Sequence, residues 1–199
     1  MKSKWILVAA SVLLAGCNKN ITKYYADEED KGLAVFSNTG NNIFTCYVNE
    51  LPWRTFSRTT GGLFSGGTSE LYISKQIDSS AQDLLIIQWN GFLQKYPTGY
   101  NTISLYLKVP KDFTRNDISS FQGQRFAIDS SKGYFYANIS GFNTETGFGN
   151  IYFYSASFDS ATQGSYSGEL SGILEADFPD FKITKGRFDD QLSVSQFQF

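Results

Sequence analysis

There is no histidine in these 199 residues. That absence removes Ser-His-Asp and Cys-His nucleophile systems, because both need an imidazole as the base. It removes His-containing zinc sites as well. Cysteine is nearly absent: Cys17 and Cys46 are the only two, too few for a thiolate metal site. Enzyme chemistry still open to such a chain runs on paired carboxylates, Tyr, Lys or an oxygen-ligated Ca²⁺. A basic excess is missing too: 17 Lys and Arg stand against 19 Asp and Glu, so nucleic acid is not an expected partner. A long hydrophobic run is also missing. The apolar stretch Trp5 to Leu14 is about ten residues, against the roughly 20 a membrane-spanning helix needs. No repeat of fixed period is evident.

What is present begins at the N-terminus. Lys2 and Lys4 make a positive leading region, the apolar stretch follows, and Leu14-Ala15-Gly16 puts small residues before Cys17. A cysteine after Leu-Ala-Gly resembles a bacterial lipobox. That resemblance implies a signal peptide over 1–16, cleavage before Cys17, and lipidation of Cys17 on its thiol and its new amine, palmitate among the acyl chains. Two or more chains anchor a protein stably. Asn18 occupies the place where Asp would resemble an inner-membrane retention signal. The expected location is therefore the cell envelope, on the outer membrane, with the periplasmic or outer side left open. Asp27-Glu28-Glu29-Asp30 lies several residues beyond the cysteine, unlike a surface-export tag. Lys2 and Lys4 leave with the signal, so 15 basic residues face 19 acidic ones, a net charge of −4. A chain of that charge does not lie flat on an anionic bilayer, so the lipid does the tethering.

Residues 17–42 read as the lipidated cysteine and a flexible tether, since Asn, Ser and Gly dominate its second half. Leu33-Ala34-Val35-Phe36 interrupts it as a candidate edge strand. Residues 43–199 read as one all-β domain, long enough for a sizeable core. Short runs rich in β-branched and aromatic residues recur between Gly, Asn, Asp, Ser and Pro. They predict strands over about 43–49, 53–58, 70–76, 84–90, 101–109, 124–129, 133–140, 150–158, 164–175 and 181–188. In 102–109, Ile103, Leu105, Leu107 and Val109 share one face, and Ser104, Tyr106 and Lys108 the other. Leu84 to Ile87 reads as a central strand covered on both faces. Ser131-Lys132-Gly133 reads as a hairpin turn, and 61–67 as a mobile Gly-rich loop. A turn or two of helix is expected in 111–118, capped by Asp112 or Thr114. The expected fold is an antiparallel β-sandwich or partly closed β-barrel of about ten strands.

Candidate site residues are few. Tyr134 and Tyr136 share a face of one strand, and Tyr152 and Tyr154 a face of another. If those faces meet solvent in adjacent strands, they form a stacking platform for sugars or other planar groups; if they point inward, they are core. Trp53 reads as a ring packed back on the sheet, with ligand stacking as the alternative. Cys46, in a strand-like run, reads as a small buried hydrophobe. Glu169 and Glu175 share a strand face about 20 Å apart at 3.3 Å per residue, too far to act as a pair. Asp177 to Asp180 is a turn without a dense ligand loop for Ca²⁺. Arg187 and Asp189 suggest an ion pair at a strand edge, and Gly186 a bulge. No catalytic residue, metal site or cofactor is assigned.

Three segments, 42–53 (Asn42 to Trp53), 164–172 (Gly164 to Gly172) and 183–189 (Ile183 to Asp189), resemble small uncharacterised lipoproteins of the Bacteroidetes type. These combine a lipobox, a flexible tether and an all-β domain of unknown function. Where that group has a Gly in the first turn, this chain has Glu50. The resemblance carries no catalytic residues. The expected function is a non-catalytic binding or interaction domain, with a glycan or a protein as its partner. Two alternatives are a carboxylate-dependent enzyme acting on glycans and a structural subunit that pairs through its sheet edges. The alternating tail 193–199 reads as a final strand.

Overall fold

The computed structural model describes residues 24–55, 71–78, 81–159 and 168–198. The signal region, Cys17 and the 61–67 loop lie outside the described residues. Eleven strands follow in chain order: β1 (Ile43–Val48), β2 (Leu51–Thr55), β3 (Leu71–Ile77), β4 (Gln82–Leu93), β5 (Asn101–Pro110), β6 (Arg125–Ile128), β7 (Gly133–Asn138), β8 (Glu145–Phe158), β9 (Gly168–Asp177), β10 (Lys182–Leu192) and β11 (Phe197–Gln198). A closed antiparallel barrel of eight strands runs β4-β2-β1-β10-β9-β8-β7-β5, and β5 pairs back with β4. The other three strands extend it: β3 beside β4, β11 beside β3, and β6 beside β8. No helix among the described residues is long and apolar enough to cross a membrane.

Period-2 alternation sets the inside of the barrel. Ile103, Leu105, Leu107 and Val109 of β5 are buried, as the sequence predicts, and Phe135 and Phe153 point inward from β7 and β8. The interior is filled with rings. Phe44 lies 5.2 Å from Trp53 and 5.0 Å from Trp89, and Phe188 lies 5.3 Å from Trp89 and 5.8 Å from Phe153. All five rings are fully buried. Eight strands enclose a space just wide enough for side chains to fill, and here large ones do so. Trp53 is a core ring, and Cys46 lies in the same core with its thiol pushed up by burial.

Two strands of the wall are each built from two collinear pieces. Along β4, β2 ends at the pair Thr55 with Gly91, and β3 resumes at Leu71 with Trp89. Along β8, β7 pairs at Phe135 to Ala137 and β6 at Arg125 to Ile128, on partners 145–147 and 149–152. The Ser131-Lys132-Gly133 turn therefore does not close a hairpin. The Asp129 carboxylate holds it, accepting from the Ser131 and Lys132 amides at 2.9 and 3.2 Å. Gly133 then enters β7 at φ +153°, where a Cβ would stand 1.9 Å from the Tyr106 carbonyl oxygen. That close approach seats the chain on β5, so it continues along β8 instead of folding back on β6.

The turn from β1 to β2 is Asn49-Glu50, both with positive φ (45° and 67°), the pair of conformations a type I′ hairpin turn requires. Leu51 and Pro52 belong to β2 and not to the turn. A glutamate in the left-handed region is strained, and Glu50→Gly is expected to stabilise the fold by roughly 0.5–1 kcal/mol. A rise in the chemical-denaturation midpoint with an unchanged slope is the check.

The helical turn is a 3-10 helix at Arg115–Phe121, begun by Thr114, whose amide and hydroxyl both donate to the Asp117 carboxylate at 2.7 Å. It covers the edge of β8 beyond β6. There the Gln122 side chain pairs with that edge like a strand residue, donating to the Tyr154 carbonyl at 3.0 Å and accepting from the Ala156 amide at 2.7 Å. Of the tail read as a strand, Val194–Gln196 is instead a 3-10 turn, and the strand among its described residues is the two-residue β11, which pairs with β3 in parallel.

The segment read as a tether is packed from residue 24 onward. Leu33 and Ala34 are buried, and the Ala34 amide donates to the Thr45 hydroxyl at 3.1 Å. Leu33 to Phe36 forms no strand, only an isolated bridge between Ala26 and Ala34. One acid and one cation of β10, Asp189 and Arg187, seat this segment as an N-terminal strap. Asp189 of β10, 3% exposed, accepts from the Gly40, Asn41 and Thr39 amides at 2.7, 3.1 and 3.3 Å, and from the Ser37 hydroxyl. Arg187, also on β10, donates to Asp27 at 2.5 Å, to the Ala34 carbonyl at 3.0 Å, and to Asp30. The Arg187–Asp189 pair suggested by the sequence does not form, because both side chains are engaged by the strap.

Candidate ligand groove on the outer wall

The outer face of β8, β9 and β10 carries one continuous row. Register places Arg125 of β6 opposite Tyr152, Tyr152 opposite Ile173, and Ile173 opposite Arg187. Directly opposed side chains in antiparallel strands sit about 5 Å apart, so these four are consecutive neighbours. Around them opens a groove of about 440 Å³, floored by Tyr152 and Ile173 and edged by Arg125, Asn150, Glu175, Lys185, Arg187 and Asp30. Ile173 is 44% exposed, an apolar side chain held out toward solvent.

A bulge in β10 shapes the far rim. Register slips between Ile183 and Gly186, and Lys185 takes φ 51°. A Cβ on Gly186 would stand 2.7 Å from the Leu174 carbonyl oxygen, so only glycine lets β10 approach β9 there. The bulge presents Lys185 to Asp30, its Nζ 2.5 Å from the carboxylate. The hydrogen bond and charge of Asp30 push Lys185 up. Asp27 is held down to about 2, first by the Asp30 amide, then by the Arg187 guanidinium and the Glu29 amide. Arg125, at the near end, is exposed and makes no ion pair among the described residues.

A pH dependence follows from Asp27. Its folded pKa lies below the ordinary 3.8, so the stabilisation it gives the strap is complete above about pH 3.8 and is lost as pH falls through about 2. The Asp27 end of the strap is expected to stay latched at pH 4 and loosen near pH 2, measured as hydrogen exchange of the Val35 amide or as pepsin cleavage beside Leu33.

The four tyrosines do point outward, with Phe135 and Phe153 between them pointing in. They do not form one platform. Tyr136 is opposite Thr146, so Tyr152 lies six residues further along β8, roughly 20 Å away. Tyr152 and Tyr154 adjoin the groove, at 6.4 Å from each other, and Tyr154 meets Phe36 of the strap edge-on at 5.6 Å. Tyr134 and Tyr136 make a separate patch with Tyr106, which stacks on Tyr134 at 4.5 Å and meets Tyr136 edge-on at 6.3 Å. Burial pushes the Tyr106 and Tyr134 hydroxyls up.

No protein-family model, curated protein or solved structure matches this chain. Glu169 and Glu175 share the outer face of β9 as predicted. Burial, and then the charge of Asp189, pushes Glu169 up. Asp189 is occupied by the strap amides, which makes it a fastener and not half of an acid pair. Asp177 pairs with Lys182 at 2.9 Å, and Asp180 accepts from Asn143 at 2.7 Å. Among the described residues, no three Asp, Glu or Cys side chains gather as a metal site needs. A second concavity, about 560 Å³, lies between the end of β5 and β6, under the 3-10 helix, with Phe113, Phe121 and Phe126 in its lining.

Sequence reasoning found Tyr152 and Tyr154 from their period. It missed Arg125, Ile173 and Lys185. The signal for Lys185 was present in Gly186, whose bulge re-aims its neighbour. Arg125 gave none, since its place beside Tyr152 depends on β6 skipping β7.

Proposed function

We propose that this chain is a lipid-anchored cell-envelope protein whose barrel is a non-catalytic binding module, with the groove at Tyr152 as its ligand site. The lipobox-like Leu14-Ala15-Gly16-Cys17 supports the anchor, and Asn18 favours the outer membrane. The groove carries the binding reading: an aromatic and aliphatic floor open to solvent, rimmed by fixed polar groups, on a wall made rigid by a filled core. Its volume falls in the range of about 300–1,000 Å³ common to small-ligand sites.

Two experiments test this. Cys17→Ser is expected to abolish incorporation of labelled palmitate and move the protein out of the membrane fraction; retention of both would sink the anchor. A thermal-shift screen of glycans and small ligands on the full chain in detergent is expected to give a stabilisation that Tyr152→Ala removes. A shift removed only by Tyr134→Ala would move the site to the other tyrosine patch. No shift with any ligand would overturn the small-ligand reading.

A further inference from the structure

We infer that the groove takes an acidic saccharide: a sugar ring stacked over Tyr152 with its exocyclic carboxylate on Arg125. The inference rests on the groove being a binding site, as proposed above, and names what it binds.

The charges of the rim are not equivalent. Lys185 and Arg187 face the groove but are already neutralised, Lys185 by Asp30 and Arg187 by Asp27 and Asp30 together. Of the two acids in the lining, Asp30 is shared between two cations, and Glu175, opposite Asn150, lies diagonally across the groove from Arg125, which leaves the Arg125 end as the one that favours an anion. Arg125 is the cation of the lining with no acid beside it among the described residues, and it stands directly opposite Tyr152. A guanidinium matches a planar carboxylate with two parallel N–H donors. The spacing of about 5 Å between opposed side chains suits a group that projects from the rim of a ring stacked on the neighbouring aromatic.

The rest of the lining fits hydroxyls. Asn150 and Glu175 lie opposite each other on β8 and β9, one strand position pair away from Tyr152 and Ile173. Both are exposed and offer carbonyl or carboxylate acceptors to a polyol, and Asn150 also offers an amide donor. Ile173 extends the apolar floor beneath a second ring.

A peptide is the competing occupant, and the backbone argues against it. Peptides bind sheets chiefly by adding a strand to a free edge. Every strand of this floor is paired on both sides: β8 by β6 and β9, β9 by β8 and β10, β10 by β9 and β1. The floor offers side chains only, and those are one ring and one aliphatic group flanked by hydrogen-bonding tips.

The experiment is a titration of the full chain in detergent with three probes: tetragalacturonate, galactotetraose and tetraglutamate. The acidic sugar is expected to bind about tenfold tighter than the neutral one, as one charge-assisted contact would give. Arg125→Gln is expected to bring the two sugars level, Arg125→Lys to leave a reduced gap, and Tyr152→Ala to abolish both. Arg125 is exposed, so its variants should fold as the parent does, with matching circular dichroism as the control. Equal affinity for both sugars, lost in Tyr152→Ala, would overturn the acid preference and leave the groove as a sugar site. Tetraglutamate binding as tightly as tetragalacturonate, and dependent on Arg125, would overturn the saccharide. No binding of any probe overturns the inference, and only a ligand screen that is also empty would remove the groove itself.

Discussion

Asp189→Ala is expected to unfasten the N-terminal strap and lower stability by about 3 kcal/mol. The carboxylate is almost wholly buried and accepts from four donors spread over Ser37 to Asn41. Hydrogen bonds to a charged acceptor are worth about 1.5–3 kcal/mol, and the amides of Gly40 and Asn41 are buried and would be stranded by its loss. For a chain of this size, 1 kcal/mol moves the melting temperature by about 2–4 °C, so the variant should melt roughly 6–12 °C early. Asp189→Asn keeps the shape and one acceptor oxygen, and is expected to lose about half as much. Two readouts separate a released strap from a general weakening. Trypsin should cut at Lys31 well below the melting temperature. The titration of Glu169 should move down toward the ordinary carboxylate range, because the charge of Asp189 is part of what pushes it up. A melting temperature within a degree of the parent, with Lys31 protected, would mean that Arg187 and Leu33 hold the strap without Asp189. A domain cut at residue 40 should behave like the alanine variant or worse, since it discards Leu33 and leaves both Arg187 and Asp189 without the strap.

The strap also shows where the sequence runs out. Composition read residues 17–42 as a tether, because Asn, Ser and Gly cannot bury apolar surface. What seats the segment is electrostatic and distant: Asp27 and Asp30 meet a guanidinium about 160 positions along the chain, and the Ser37 to Asn41 loop closes around a carboxylate equally far away. Neither Arg187 nor Asp189 advertises those partners locally. Two residues apart on one strand, they looked like partners of each other.

Strands were legible because their cause is local. The alternation through 101–109 emerges as β5 (Asn101–Pro110), and the apolar run at 84–87 emerges as the middle of β4, where Leu84, Leu85 and Ile87 are all buried. Closure was not legible. It depends on β2 taking the end of a β4 edge that β3 otherwise fills, and on β7 taking the end of a β8 edge that β6 otherwise fills. Nothing in the residues of either pair marks them as halves of one strand, so sandwich and barrel fit the pattern equally well. The same skip hid half of the groove. Tyr152 faces outward by parity alone, but Arg125 becomes its neighbour only through the long-range pairing of β6 with β8.

Phe44→Ala should cost about 3–5 kcal/mol, the range for removing a phenyl ring from a packed core, against a total stability of about 5–15 kcal/mol for a domain. The ring is fully buried and touches Trp53, Trp89 and Phe188, with centroids 5.2, 5.0 and 6.4 Å away. Its neighbours cannot close the gap cheaply. The Trp89 indole N–H is committed to the buried Asp190 carboxylate at 3.0 Å, so tilting that ring into the space would break a charge-assisted hydrogen bond. The Phe44 amide is itself fixed by the Thr55 hydroxyl at 3.0 Å, which holds β1 to β2 whatever the side chain. The emptied volume should therefore persist, and the near-ultraviolet signal of Trp53 and Trp89 should weaken while the far-ultraviolet strand signal stays. Phe148→Ala is the control: that ring is 47% exposed on β8, and its removal should cost less than about 1 kcal/mol. The consequence reaches the groove. Tyr152 and Ile173 stand on the outside of β8 and β9, whose inner faces present Phe153 and Leu174 to the same packed interior. A wall backed by a solid core holds its outer side chains at fixed spacing, and ligand affinity at Tyr152 should fall in Phe44→Ala even though Phe44 touches no part of the groove. If the cost is nearer 1 kcal/mol and affinity is unchanged, the barrel is held by its strand pairing and the groove owes nothing to the rings behind it.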